Sequence, residues 1–432
     1  MAKDNIPRFP NRGPFRTRLQ RILAPVERFL AIEAASGIVL MMAAVAALVW
    51  ANSPWRATYS NIWQIPIGFR FGNLVFEHDV HFWINEGLMT LFFFVVGLEI
   101  RREIHSGELS ELRRAALPLA AAFGGMLFPA AIFLVFNFGR MSANGWAVPM
   151  ATDIAFAVGA LALLGKRVTP ALRILLLALA VIDDVGAIVV IALFYSTEIA
   201  ASGFAVLGLG ILTTFVMQFL RVRSTVAYVV PGIVIWSGAY TAGIHPTLAG
   251  VIVGLMTPVK AWHGALKVAN RKAISPAERL EHALHGWVAF GIMPLFAFAN
   301  AGVPLGQIDF GGDAKWVFWG VTLGLTIGKP IGILLLSWMA ARLGVAALPT
   351  GVRWSHVGVV GMVSGIGFTM ALFIAQLAFP PGPLLETAKL AVLCASSVAG
   401  ILSLIAGYRI LKPGHGGSMA RTDSEAEGST EK

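Results

Sequence analysis

Charged residues and cysteine are both scarce in this chain of 432 residues. Asp, Glu, Lys and Arg make up 13% of the sequence, about half the share that a soluble domain carries, and hydrophobic residues make up 57%. The single cysteine, Cys394, excludes a disulfide within the chain, and its apolar surroundings favour a small buried residue. This composition excludes an ordinary soluble domain and predicts an integral membrane protein.

The net charge of +10 does not point to nucleic acid. Lys and Arg lie almost entirely in the short loops between apolar segments, and the loops on one side carry most of them. Because positive loops stay in the cytoplasm, this asymmetry predicts that both termini are cytoplasmic and that nucleic acid is not a partner. The loops predicted to be extracytoplasmic hold only Arg56, Arg70, Arg140 and Lys315, with Lys389 near a helix end.

Long apolar segments recur down the chain at short intervals. Because about 20 apolar residues cross a hydrocarbon core of about 30 Å, we expect an all-α membrane protein with about twelve transmembrane helices. The first segment is too long for a signal peptide, so we expect it to be retained. The predicted helices lie at 29–52, 83–100, 115–138, 146–164, 170–195, 203–220, 226–243, 246–258, 281–300, 316–341, 355–378 and 385–408.

Three regions are expected along the chain. Residues 1–28 form a basic cytoplasmic tail, residues 29–409 form a single transmembrane domain, and residues 410–432, rich in Gly, Ser and Glu, predict a disordered cytoplasmic tail. Residues 53–82 form an extracytoplasmic loop, whose alternating segment IWQIPIGFRFGNLVFEH predicts a short β-hairpin. The free edges of this hairpin are covered either by a second copy, giving a homodimer, or by the hairpin's own domain.

Asp183 and Asp184 stand side by side in the apolar segment ALAVIDDVGAIVV. Thr169 and Pro170 predict the start of their helix, which places both aspartates near the middle of the bilayer. An Asp at that depth costs about 3 kcal/mol, and intramembrane carboxylates mostly mark ion or proton pathways. Because adjacent residues point about 100° apart, one carboxylate can face a cation while the other meets a different partner.

Two further segments carry polar residues at the same depth. In WAVPMATDIAFAVGALALLG, the residues Pro149, Thr152 and Asp153 interrupt a helical run and predict a broken helix. Thr152 is a candidate N-cap there, and Asp153 can offset the positive helix end. In VTLGLTIGKPIGILLL, Lys329 needs a counter-ion, and we expect it to pair with one of the two aspartates.

The eleventh predicted helix is interrupted by Gly365 and Gly367. Its segment VSGIGFTM, residues 363–370, aligns with ATDIAFAV, residues 151–158, at an offset of 212 residues. Interrupted helices at corresponding positions of two halves are the best sequence pointer to a transporter's binding site. Since the two helices run in opposite directions, we expect helices 3–5 and 10–12, which contain the broken helices 4 and 11, to form inverted repeats.

A group of charged residues is expected at the cytoplasmic mouth, where the second helix ends and the ninth begins. Two of its members lie four residues apart and share a helical face. The group is either a titrating network, because histidine changes charge near physiological pH, or a set of ordinary interfacial charges. Its members are Glu99, Arg102, Glu103, Glu281 and His285.

These residues together resemble the NhaA-type sodium/proton antiporters of bacterial inner membranes. The resemblance is carried by WAVPMATDIAFAVGALALLG, LALAVIDDVGAIVVIALFY, PLFAFANAGV, IGKPIGI and GIGFTMALFIA. It runs in the same order from about Arg28 to Tyr408 and leaves the two tails uncovered. It implies an inner-membrane location, a hairpin that makes the dimer contact, and a broken-helix crossing at mid-membrane.

The resemblance also implies a role for each polar residue. Asp184 corresponds to the principal carboxylate for Na+ and protons, and Asp183 to the partner that pairs with Lys329. Na+ is then expected at Asp184, Asp183 and Thr152, with Asp153 compensating the half-helix dipoles. The group at the cytoplasmic mouth corresponds to the residues implicated in pH activation.

Two positions depart from the family's pattern. Glu86 stands where Asp is expected, and this change barely touches function. Glu278 stands where a basic residue is expected beside the pH-sensing group, which leaves the pH set point open.

The residues support the same activity without the resemblance. Carboxylates at the midplane hold either protons or a cation, so the two compete, and competition at a site exposed alternately to each side is exchange. We expect a secondary transporter rather than an enzyme, with Na+, Li+ and H+ as its ions and no cofactor. A cation channel would instead show symmetric rings of ligands or a selectivity loop, and a proton-translocating subunit of a redox complex would show no Na+ dependence.

Overall fold

A computed structural model describes residues 35–72, 74–196, 200–220, 222, 224, 226–259, 275–308 and 310–411. Within these ranges the chain is mostly helical and carries one small sheet of two strands. The tail predicted at 1–28 and residues 412–432 of the tail predicted at 410–432 lie outside the described residues, while Ile410 still belongs to the last helix.

Fourteen helices organise the described part of the chain, with short 3-10 and π turns within or between them. Seven of them are long and apolar enough to cross a membrane, and three bent pairs raise the number of candidate spans to as many as ten. The helices are α1 (Ala35–Ala51), α2 (Arg56–Trp63), α3 (Val80–His105), α4 (Leu112–Asn137), α5 (Ile154–Leu163), α6 (Pro170–Phe194), α7 (Ala201–Phe219), α8 (Val229–Thr241), α9 (Leu248–Met256), α10 (Pro276–Asn300), α11 (Ala314–Arg342), α12 (Trp354–Ser364), α13 (Phe368–Ala378) and α14 (Pro383–Ile410).

Each predicted membrane segment contains a helix in the structure. The segments at 226–243 and 246–258 hold α8 and α9, which are shorter than a full span. A mostly helical fold with seven to ten candidate membrane spans among the described residues is therefore confirmed, while a count of twelve crossings stays a prediction. The short helix α2 in the first loop was not predicted.

The predicted hairpin is confirmed. Strands β1 (Pro66–Phe71) and β2 (Leu74–Asp79) pair antiparallel. Gly72, with φ of 61°, occupies the turn, where a left-handed backbone favours glycine.

The hairpin contacts the start of α3 in its own chain. The Trp83 indole N–H at the start of α3 donates to the Ile67 carbonyl oxygen at 2.9 Å, and the Phe76 ring lies 5.8 Å from the Trp83 ring. Phe69 and Val75 remain 58% and 50% exposed. Contact with the hairpin's own domain therefore leaves apolar surface uncovered, and dimerisation through it stays a prediction.

Helix α6 lies at the centre of the fold, in contact with α3, α4, α5 and α12. It begins as predicted: Pro170 is its first residue, and the Thr169 hydroxyl oxygen accepts a hydrogen bond from the Leu172 N–H at 3.4 Å. Asp183 and Asp184 lie in its second half, each 1% exposed. The helix thus delivers two carboxylates to the interior of the molecule.

Candidate functional site

Two bent helix pairs contact each other where their helices are interrupted. The 3-10 segment Met141–Met150 meets α5 at 45°, and α12 meets α13 at 51°. The Asp153 backbone N–H donates to the Ile366 carbonyl oxygen at 2.8 Å, and the Phe156 and Phe368 rings lie 5.5 Å apart. Residues that correspond at the offset of 212, such as these two phenylalanines, therefore contact each other at the two breaks.

Asp153 receives hydrogen bonds from the first turns of two helices. Its Oδ1 accepts from the Phe156 N–H of α5 at 3.0 Å, and its Oδ2 accepts from the Thr369 N–H of α13 at 3.1 Å and from the Thr369 hydroxyl. A carboxylate at a helix N-terminus satisfies free N–H groups and offsets the positive end of the helix dipole. The N-cap of α5 is Asp153, so the assignment of that cap to Thr152 is wrong.

Asp183 binds the buried lysine. Its Oδ2 accepts from Lys329 Nζ at 2.7 Å and from the Thr152 hydroxyl at 2.6 Å, and all three residues are at most 1% exposed. Lys329 Nζ also contacts the Met150 carbonyl oxygen, and the Thr152 hydroxyl lies 3.1 Å from the Ser364 carbonyl oxygen. Lys329 thus pairs with Asp183 rather than Asp184, and removing either partner would leave a buried charge at a cost of about 3–5 kcal/mol.

Asp184 has a different environment. Neither of its carboxylate oxygens has a hydrogen-bond partner among the described residues, and neither does Asp183 Oδ1. Buried polar atoms are nearly always paired, and a buried carboxylate is paired, protonated or bound to a cation. These three oxygens are therefore able to take up either a proton or a cation.

Glycine at the second break allows the backbones to approach closely. A Cβ on Gly365 would lie 2.6 Å from the Leu325 carbonyl oxygen of α11, and a Cβ on Gly367 would lie 3.0 Å from the Ala151 carbonyl oxygen of the first break. The two glycines thus let α12 and α13 meet α11 and the other break at the level of the carboxylates.

The group predicted at the cytoplasmic mouth is brought together where α3 ends and α10 begins. The Arg102 guanidinium contacts Glu281 and lies 3.5 Å from Glu103 Oε1. His285 follows Glu281 by one turn on α10, Glu99 precedes Glu103 by one turn on α3, and both are half-buried. The residues form one cluster in space, and its role in pH sensing stays a prediction.

Comparison with known proteins decides the family. The family model described as Na+/H+ antiporter 1 matches residues 27–406. The chain is 52% identical to the Na(+)/H(+) antiporter NhaA 2 of Sorangium cellulosum, with 97% of each chain covered, and 51% identical to the NhaA 2 of Myxococcus xanthus, with 96% and 95% covered. It is 46% identical to the Na(+)/H(+) antiporter NhaA of Bordetella petrii, with 94% and 95% covered. The chain belongs to the Na+/H+ antiporter family of these NhaA proteins. It is thus a multi-pass membrane protein of a transporter family.

Several groups at this antiporter-family site were not predicted from the sequence. They are Thr369, the carbonyls of Met150 and Ser364, and Ser396 of α14, whose hydroxyl accepts from the Phe368 N–H at 3.0 Å. Thr369 follows the break by two residues, and this position is a signal that could have found it. Backbone carbonyls leave no such signal, because every residue type carries one.

The departure at Glu278 has a local explanation. Its carboxylate accepts from the Ser275 N–H at 3.0 Å, while its own N–H donates to the Ser275 hydroxyl oxygen at 3.2 Å. This capping box stabilises the start of α10. Glu278 therefore helps to place the helix that carries Glu281 and His285.

Proposed function

We propose that this chain is an electrogenic Na+/H+ antiporter of the bacterial inner membrane. It exports Na+ or Li+ from the cytoplasm and takes up two protons for each cation. The observation that carries the proposal is Asp184: its buried carboxylate has no hydrogen-bond partner among the described residues, while the neighbouring Asp183 is bound to Lys329. The family of the chain supports Na+ as the cation.

Protons and Na+ compete for the same negative charge. Asp184 is the principal carboxylate, and Asp183 and Thr152 complete the cation site with it. When Na+ binds, the carboxylates must be deprotonated; when protons bind, the charge that holds Na+ is lost. The second proton is shared within the group of Asp183, Asp184 and Lys329, because coupled groups titrate jointly. The chain's own side chains suffice for this exchange, and no cofactor is required.

Access to the site alternates by rocking of one helix bundle against another. In this proposal each bent pair at the crossing is one broken span, and the chain crosses the membrane twelve times. The segments predicted at 115–138, 146–164 and 170–195 form one repeat, and those at 316–341, 355–378 and 385–408 form the second repeat in inverted orientation. Asp153 supports such a crossing because it holds the first turns of α5 and α13 together. Both termini are cytoplasmic, and the hairpin joins two copies into a homodimer.

Exchange is regulated by pH at the cytoplasmic mouth. The cluster of Arg102, Glu103 and Glu281 with His285 and Glu99 connects α3 to α10, so a change in its charge alters how these helices pack. This pH-dependent Na+/H+ exchange then serves Na+ and pH homeostasis in the cell.

The proposal is tested in everted membrane vesicles with a preformed pH gradient. NaCl and LiCl, but not KCl, are expected to collapse the gradient, and Asp184→Asn is expected to abolish the response, because the neutral amide cannot hold either ion. The measurement is fluorescence quenching of a ΔpH dye between about pH 6.5 and 8.5, a range that begins near the ordinary pKa of histidine.

Asp313→Asn is the matched control. Asp313 lies at the start of α11, partly exposed, where its carboxylate binds the Arg140 guanidinium at 2.8 Å, so its loss should leave exchange unchanged. A response that persists in Asp184→Asn would refute the site, and a chain that responds to no cation would refute the antiporter. Cation currents without proton coupling would favour a channel, and loss of activity on removal of copurifying subunits would favour a redox complex.

A further inference from the structure

Three amides, of which Asn85 and Asn300 are buried and Gln376 is half-buried, form a closed ring at the end of the fold that carries the hairpin. Asn85 Nδ2 donates to Gln376 Oε1 at 2.8 Å, Gln376 Nε2 donates to Asn300 Oδ1, and Asn300 Nδ2 donates to Asn85 Oδ1 at 2.9 Å. His81 Nε2 lies 2.8 Å from the same Asn300 oxygen. Each amide thus donates to one neighbour and accepts from the other, and the ring joins α3, α10 and α13.

A layer of three phenylalanines accompanies the ring on the same helices. The Phe373 ring of α13 lies 5.4 Å from Phe93 of α3 and 6.2 Å from Phe296 of α10. All three rings are at most 1% exposed. Phe296 precedes Asn300 by about one turn, and Phe373 precedes Gln376 by about one turn, so the aromatic layer lies directly beneath the amide ring.

Both layers include residues of α13, the helix whose first turn contacts Asp153. Thr369, which binds Asp153, lies seven residues before Gln376 on α13, which is about 10 Å along the axis and nearly the same face. From the site toward the hairpin end, one face of α13 therefore carries first Thr369, then the aromatic layer, then the amide ring. The contact partners of both layers come from α3 and α10, which carry the mouth cluster at their other ends.

We propose that the amide ring and the aromatic layer are the outer gate of the antiporter. The inference rests on the proposed function, which supplies the orientation of the chain and the two bundles. The ring breaks between Gln376 and the pair Asn85 and Asn300 when the site opens outward, while the contact within that pair persists. The three amides suit this role because their bonds, lost on opening, can be replaced by water, whereas the aromatic layer keeps water out when the gate is closed.

The first experiment measures access from outside, independently of transport. In a Cys394→Ser background, Ala297→Cys places a thiol one turn beneath Asn300, and an impermeant thiosulfonate reagent is added to intact cells. Gln376→Leu is expected to raise the labelling rate by about two- to tenfold for each net hydrogen bond lost. Asn137→Leu is the control, because Asn137 is a buried amide outside the ring and donates to the Phe133 and Trp316 carbonyls instead. An unchanged rate in Gln376→Leu, or an equal rise in the control, would overturn the gate.

The second experiment closes the gate covalently. In the same background, the two thiols of the double variant Asn300→Cys/Gln376→Cys are joined by a reversible bifunctional thiosulfonate reagent. The double variant Asn85→Cys/Asn300→Cys, treated in the same way, is the control. The first cross-link is expected to reduce Na+/H+ exchange at least tenfold until a thiol reductant is added, while Na+ binding in detergent is retained. Cross-linking the control variant should change its exchange rate by less than twofold relative to the same variant before cross-linking.

The outcomes separate the two proposals. The gate proposal would be overturned if exchange continued while positions 300 and 376 were cross-linked, or if it stopped equally in the cross-linked control. The proposed antiport function would not be affected by either result. A Cys394→Ser parent without Na+-dependent exchange would contradict the proposed function, and the labelling experiment would still decide the gate.

Discussion

At the scale of single residues, Asp153 is the group that ties the two breaks together. Asp153→Ala removes the acceptor for the Phe156 N–H, the Thr369 N–H and the Thr369 hydroxyl, all within the interior. Because each buried donor left unpaired costs about 1–3 kcal/mol, we expect the purified protein to lose about 3 kcal/mol and to melt at a clearly lower temperature. The measurement is thermal unfolding in detergent, followed by tryptophan fluorescence.

Asp79→Ala provides the comparison for that prediction. Asp79 caps the start of α3 with one bond, from the Phe82 N–H to its Oδ1 at 2.7 Å, on the exposed hairpin. Loss of an exposed cap costs about 1 kcal/mol, so the melting temperature should fall less than in Asp153→Ala. Equal shifts in the two variants would contradict the larger stabilising role assigned to Asp153.

The charged residues of the site were predicted from the sequence together with Thr152 and the two glycines, whereas Thr369 was not. Asp183, Asp184 and Lys329 attract attention because a charge in an apolar helix is costly and must have a partner or a purpose. Thr369 carries no such cost, since a threonine hydroxyl can bond within its own helix. Which aspartate meets Lys329 depends on how α6 is rotated against α11, and periodicity does not fix that rotation.

At the scale of helices, the contact between α4 and α11 fixes the position of Lys329. Gly124 and Gly332 face each other so closely that a Cβ on either would overlap the carbonyl of the other. Gly332 lies one turn after Lys329, and a Cβ on Gly125 would lie 3.7 Å from Lys329 Cε. The spacing of these two helices therefore sets how far the lysine reaches toward Asp183.

Gly332→Ala should accordingly separate α4 from α11. Overpacking of a tight contact costs about 1–3 kcal/mol, and the displaced lysine should weaken exchange as well as thermal stability. Gly208→Ala on α7 is the matched control, because a Cβ there meets no atom of the described chain within 4 Å. Both properties are measured on both variants, and wild-type behaviour of Gly332→Ala would contradict this account.

Element types were more predictable than their arrangement. Alternation in the first loop predicted β1 and β2, and Thr169 with Pro170 predicted the start of α6. The contact between the two bent pairs depends on glycine contacts and on Asp153, which join segments more than 200 residues apart. The alignment at offset 212 did indicate which segments meet, because the phenylalanines it matches are in contact.

At the scale of the whole molecule, two protons exchanged for one Na+ carry one net positive charge inward in each cycle. A membrane potential of 100 mV, negative inside, contributes about 2.3 kcal/mol to that movement, which changes the Na+ ratio at equilibrium by about fiftyfold. We therefore expect Na+ efflux from proteoliposomes at equal pH to accelerate when valinomycin and a K+ gradient make the interior negative. Asp184→Asn proteoliposomes should show no such efflux, which controls for leakage through the lipid. Efflux that is active at zero potential and unchanged by the imposed potential would mean that one proton balances each Na+, because only an exchange without net charge is indifferent to voltage.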